Sequence, residues 1–116
     1  MKEITIYHNP RWGKSRSSVG ILDEQGIKYK IVKYLESPPS IDKLKGIARR
    51  LGLKPKDFIR KGEKDYIALN LSSKLNNDNA LFEAMSKFPK IIERPIVVNG
   101  EKAIIGRPPE RIIEIL

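Results

Sequence analysis

The order of elements in this 116-residue chain predicts an α/β fold: a four-stranded mixed sheet with flanking helices and a helical insertion over about residues 38–90. Three observations carry that prediction. The stretch "EITIYH" at residues 3–8 reads as a strand, and a helix separates it from a second strand pattern, "KYKIVKYL", at residues 28–35. Strands joined through a helix run parallel, with a right-handed crossover. Near the other end, "PIVVNGEKAII" reads as an antiparallel hairpin around Asn99-Gly100, because two β-branched runs flank a strong two-residue turn.

Each element has a local reason. Ile4 and Ile6 alternate onto one face of the first strand. Residues 14–25, "KSRSSVGILDEQ", form a helix closed by Gly26, with a thin apolar stripe of Val19, Leu22 and Ile21. Gly20 there allows close packing on a sheet. The second strand is rich in β-branched and aromatic residues, and Pro38-Pro39 ends it. Ser40 then caps the clearest amphipathic helix, with Ile41, Leu44, Ile47, Ala48 and Leu51 on its stripe and Gly52 as its stop. Pro55 opens a short helix, "PKDFIR". Residues 64–75 fit no single pattern. Asn77 or Asp78 caps a helix carrying Leu81, Met85 and Phe88, ended by Pro89. Pro108-Pro109 opens a C-terminal helix with Ile112, Ile113 and Leu116. The β-α-β, helical, β-β-α order is the thioredoxin arrangement, and the expectation is one such domain over residues 1–116.

Composition excludes several chemistries. The chain has no cysteine, so disulfides, thiolate catalysis and zinc–thiolate sites are ruled out. Its single histidine, His8, makes no metal cluster, and no metal or bound cofactor is expected. No apolar run reaches the roughly 20 residues of a membrane span, and residues 1–7 lack the apolar core of a signal peptide. The expectation is a cytoplasmic protein. The net charge of +9 fits acidic partners or a lysine-rich solubilising surface. Nucleic acid is not the expected partner: no recognised binding motif is present, and the aromatics fall at core-like positions.

The strand–loop–helix unit "IYHNPRWGKSR" holds the candidate site. Gly13, Lys14, Ser15 and Arg16 fall at the helix start, where free backbone N–H groups and the positive dipole end favour an anion. The alternative is a capped helix with basic decoration. Trp12 stands at the apex of the loop, and its indole has one N–H donor and no nucleophilic atom. His8, Asn9 and Pro95 support the loop, His8 by hydrogen bonding.

Four segments, "IYHNPRWGKSR", "YLESPPS", "FIRKGE" and "ERPIVVNGEKAIIGRPPE", together resemble the glutaredoxin-linked arsenate reductase family, of which the Spx-like regulators are relatives. The likeness spans almost the whole chain. It implies a cysteine nucleophile at the position of Trp12, with glutathione and glutaredoxin as reductants. This chain has no thiol to use them, so no catalytic residue is expected. The resemblance further implies that Arg60, Arg94 and Arg107 bind the oxyanion (arsenate, phosphate or sulfate) and that the bond before Pro95 is cis. Two functions follow. One is a reductase-inactive member that still binds a small oxyanion weakly. The other is an Spx-like interaction module that engages an RNA polymerase-type partner without redox sensing.

Overall fold

The computed structural model describes residues 4–9 and 13–116, with Lys14 and Ser15 described by backbone alone. Trp12 lies outside the described residues. The four strands are β1 (Ile4–His8), β2 (Tyr29–Lys33), β3 (Ile96–Asn99) and β4 (Lys102–Ile105), in the sheet order β2-β1-β3-β4. β1 and β2 are parallel; β3 runs antiparallel to both β1 and β4. This is the mixed, thioredoxin-like sheet that the element order predicts.

The chain divides into two compact units, Met1–Ser37 with Arg94–Leu116, and Pro38–Glu93. In the sheet unit, the period-2 alternation of β1 buries Ile4 and Ile6 on one face. Ile6 pairs with Val97, and Val97 with Ile104, so one apolar row crosses three strands. Helix α1 (Gly13–Glu24) lays Leu22, Val19 and Ile21 on that row, and Ile112 and Ile115 of the C-terminal segment join them. Two side-chain bonds tie the periphery: the Tyr29 hydroxyl donates to Asp23 Oδ1 at 2.6 Å, and Asn99 Nδ2 donates to the Ile115 carbonyl at 2.6 Å.

Four details depart from the sequence reading. The hairpin turn is Gly100-Glu101, not Asn99-Gly100, because Asn99 pairs with both Ile4 and Lys102 in the ladder. Gly100 supplies the positive φ of 62° at the first central position, as a type II′ turn requires. The C-terminal segment is a 3-10 helix (Pro109–Ile115), which rotates Ile113 and Leu116 to the surface and leaves Ile112 and Ile115 inward. A Cβ at Gly20 would meet nothing within 4 Å, so that glycine is not a packing notch. β2 stops at Lys33, where backbone turns from Glu36 and Ser37 to the Lys33 carbonyl take over.

The second unit is helical. α2 (Ile41–Leu51) starts where the Ser40 hydroxyl accepts from the Lys43 N–H and stops at Gly52, in the left-handed region. "PKDFIR" yields only one 3-10 turn, Pro55–Asp57. The ambiguous 64–75 stretch splits into α3 (Lys64–Ala68) and a 3-10 turn, Leu71–Lys74. α4 (Asp78–Lys87) is capped by Asn77, not Asp78, and packs on α2. Leu44, Ile47, Leu81 and Met85 are buried here. A single β-bridge, Ile59 with Ile92, closes the unit, flanked by the bonds Arg60 N–H to Ile91 O and Glu93 N–H to Phe58 O.

Candidate functional site

Strand register gathers the site residues of the sheet unit at one end. His8, the last residue of β1, pairs with Lys33, the last of β2. Tyr7 pairs with Ile96, the first residue of β3, and Ile96 pairs with Ile105, the last of β4. The residues just outside those ends are Arg94-Pro95 and Gly106-Arg107. All of them therefore sit at the C-terminal end of β1. Helix α1 begins at Gly13, five residues after His8, so its N-terminus faces the same end.

Gly106 is the junction of this end. Its N–H donates to the Pro95 carbonyl at 2.9 Å. A Cβ there would stand 2.8 Å from Ser18 Oγ, 3.0 Å from Pro95 Cγ and 3.1 Å from Ile112 Cγ2. Only a residue without a Cβ lets α1, the Arg94–Pro95 turn and the C-terminal helix approach so closely. The Arg94–Pro95 bond is cis, as the family likeness implies, and so is Arg107–Pro108. Sequence reasoning passed over Gly106 and the fully buried Ser18. A glycine directly before an Arg-Pro-Pro run was the available signal for the first.

Four polar or charged residues are buried among the described residues. His8, Asn9, Ser18 and Arg94 are all buried, Arg94 to 4% exposure. Buried charges are normally paired or held for a ligand. Arg16 folds back along α1, so that a Cβ at Gly13 would lie 3.8 Å from its Nη2. Its guanidinium thus lies close to the first turn of the helix, where backbone N–H groups lack intrahelical partners. His8 is held below the usual histidine range, by burial first, then by the positive charges of Lys33 and Arg16. Its Nδ1 makes no hydrogen bond among the described residues.

The structure thus brings His8, Asn9, Gly13, Arg16, Arg94, Pro95 and Arg107 to one end of one sheet. Lys14 and Ser15 join them by backbone position in the first turn of α1. Arg60 belongs to the helical unit. There its Nε donates to Glu63 Oε1 at 3.2 Å and its Nη1 to Glu93 Oε1 at 3.0 Å. Among the described residues no cluster of three His, Asp or Glu side chains could hold a metal ion, and no helix is long and apolar enough to cross a membrane.

A model of the ArsC family matches residues 7–115. The chain belongs to the ArsC family. Its resemblance to known proteins runs end to end. It is 42% identical over 114 residues to the arsenate reductase of Haemophilus influenzae, covering 97% of this chain and 98% of that one. It is 42% identical over 116 residues to the uncharacterized protein YfgD of Escherichia coli, covering 99% and 98%. Among solved structures, the arsenate reductase from Vibrio cholerae superposes with a TM-score of 0.95 at 46% identity, covering 99% of this chain and 98% of that one. Within this ArsC family chain, the sheet end just described is built from the segments on which the likeness rests.

Proposed function

We propose that this chain binds a small tetrahedral oxyanion at the strand ends of its sheet and does not reduce it. The observation that carries the reading is the buried Arg94 beside Pro95, at the same end as Arg107, Arg16 and the α1 N-terminus. Guanidinium groups offer paired N–H donors that match an oxyanion, and charge-assisted bonds of this kind contribute about 1.5–3 kcal/mol each. Association costs offset much of that, so the expected Kd is on the order of 1 mM. Reduction is a different matter. It needs a nucleophile that forms an adduct with arsenate and then gives up electrons, and the chain has no cysteine. The hydroxyls of Ser15 and Ser17 cannot take that part, because a hydroxyl does not oxidise to a disulfide.

Two measurements test the two halves. Sulfate titrated into the protein and followed by amide shifts should saturate, with the largest changes at residues 13–16, 94 and 107. Arg107→Ala should weaken the titration several-fold. Absence of saturable shifts rejects the binding half. A coupled assay with arsenate, glutathione, glutaredoxin and NADPH should give no turnover above the no-protein rate. Turnover above it rejects the inactive half.

A further inference from the structure

His8 is 7% exposed, and its Nδ1 makes no hydrogen bond among the described residues. A buried imidazole nitrogen without a partner is costly, and the ring can relieve the cost either as acceptor or as N–H donor. The groups around it decide which. Lys33 stands opposite it across the parallel ladder, on β2. Arg16, on α1, adds a second positive charge that lowers the ring's proton affinity. On the β3 side, the residue before Pro95 is the guanidinium-bearing Arg94. Every one of these is positive. The neutral ring is the form that tolerates them, and negative charge arriving beside it favours the charged form.

We propose that oxyanion binding at the strand ends is coupled to protonation of His8, the anion offsetting Lys33 and Arg16 and the imidazole taking one proton from solvent. This rests on the oxyanion reading above and adds to it a pH control. In the free protein, burial and the two cations hold His8 below its ordinary value of 6.5, so the ring is neutral near pH 7. A bound dianion replaces repulsion by attraction and raises the ring's proton affinity. Between the free and bound values, binding takes up one proton and tightens as pH falls. Above both values the ring is neutral with or without anion; below both it is charged in each. The affinity is flat in those limits. Linkage of one proton caps the slope at about tenfold in Kd per pH unit.

Sulfate is the right probe, because it carries no exchangeable proton between about pH 5 and 8, where histidine titrates. The protein has one histidine, so its ring resonances are unambiguous. The experiment is a ring-shift titration against pH, with and without saturating sulfate, beside sulfate Kd values over the same range. The expected result is an upward move of the His8 midpoint with sulfate, a Kd that falls by up to about tenfold per unit as pH drops, and a flat profile in His8→Gln. Sulfate that binds with an unmoved His8 midpoint overturns the coupling and leaves the oxyanion reading standing. A slope that persists in His8→Gln assigns the proton to another group and also overturns it. No sulfate binding at any pH overturns both.

Discussion

Arg60 and His8 occupy opposite electrostatic settings in the two units of the chain. In the helical unit, the Arg60 guanidinium is held at 3.2 Å by Glu63 and at 3.0 Å by Glu93, one partner three residues on and the other brought near by the Ile59–Ile92 bridge. In the sheet unit, His8 is enclosed and feels two cations, Lys33 and Arg16. The first cation stands between two carboxylates. The second setting gathers positive charge around a buried base. The charge around each group distinguishes the two settings more clearly than residue type does, since both regions are rich in Lys and Arg.

The largest expected effect tests whether the sheet end is rigidly assembled. Gly106→Ala introduces a Cβ against Ser18 Oγ, Pro95 Cγ and Ile112 Cγ2, all at 3.1 Å or less. Overpacking of this kind costs about 1–3 kcal/mol. Gly20→Ala is the control: it meets no neighbour and sits inside α1, so it should stabilise by about 0.5–1 kcal/mol. Urea unfolding of the two variants measures both. Equal midpoints would mean that the sheet end yields easily, and the contrast with the fixed Arg60 cluster would then fail.

A second prediction uses pH alone. His8 has a lowered value in the folded state, so the unfolded chain binds its proton more readily. Its contribution to stability is complete above the unfolded value near 6.5 and is lost progressively as pH falls through that value toward the folded one. The thermal midpoint of the anion-free protein should therefore drop on acidification below about pH 6.5, and His8→Gln should drop less. Sulfate should reverse part of the loss. Identical pH profiles for the two proteins would place the acid sensitivity elsewhere.

How much of this was legible follows from which forces act locally. The Ser40 cap, the Gly52 stop and the parallel β1–β2 crossover rest on contacts within a few residues or on chirality, and the sequence shows them directly. The hairpin was legible but its register was not: β1 pins Asn99 into the ladder and pushes the turn one residue on to Gly100-Glu101. The C-terminal pattern pointed to an ordinary helix, and only the tertiary demand to seat Ile112 and Ile115 distinguishes the 3-10 form. At the site, His8, Asn9, Arg94 and Arg107 could be named from the segments they sit in. That three of them are buried could not, because burial of a polar group depends on the partners that register supplies. Gly106 and Ser18 stayed hidden for the same reason: their meeting joins a helix, a loop and a terminal segment far apart in sequence.

The smallest expected effect concerns the arginine between two carboxylates. The side chains of Arg60 and Glu93 are 21% and 24% exposed, so water screens part of their attraction. A double-mutant cycle with Arg60→Gln and Glu93→Gln should give a coupling of about 1 kcal/mol or less, falling with added chloride, as partly exposed pairs do. Part of the measured loss in each single variant will come from the partner left unpaired, and the cycle removes that contribution. Glu63 shares the same guanidinium, so Glu63→Gln alone should strengthen the Arg60–Glu93 coupling slightly. A coupling well above that range would make the pair a clamp on the Ile59–Ile92 bridge, held by structure more than by charge. Repeating the cycle in sulfate sharpens the contrast with His8. If the guanidinium keeps its carboxylates, the coupling falls only as far as ionic strength alone lowers it in chloride. A further fall, specific to sulfate, would show that Arg60 exchanges them for the anion and belongs with Arg94 and Arg107 in function.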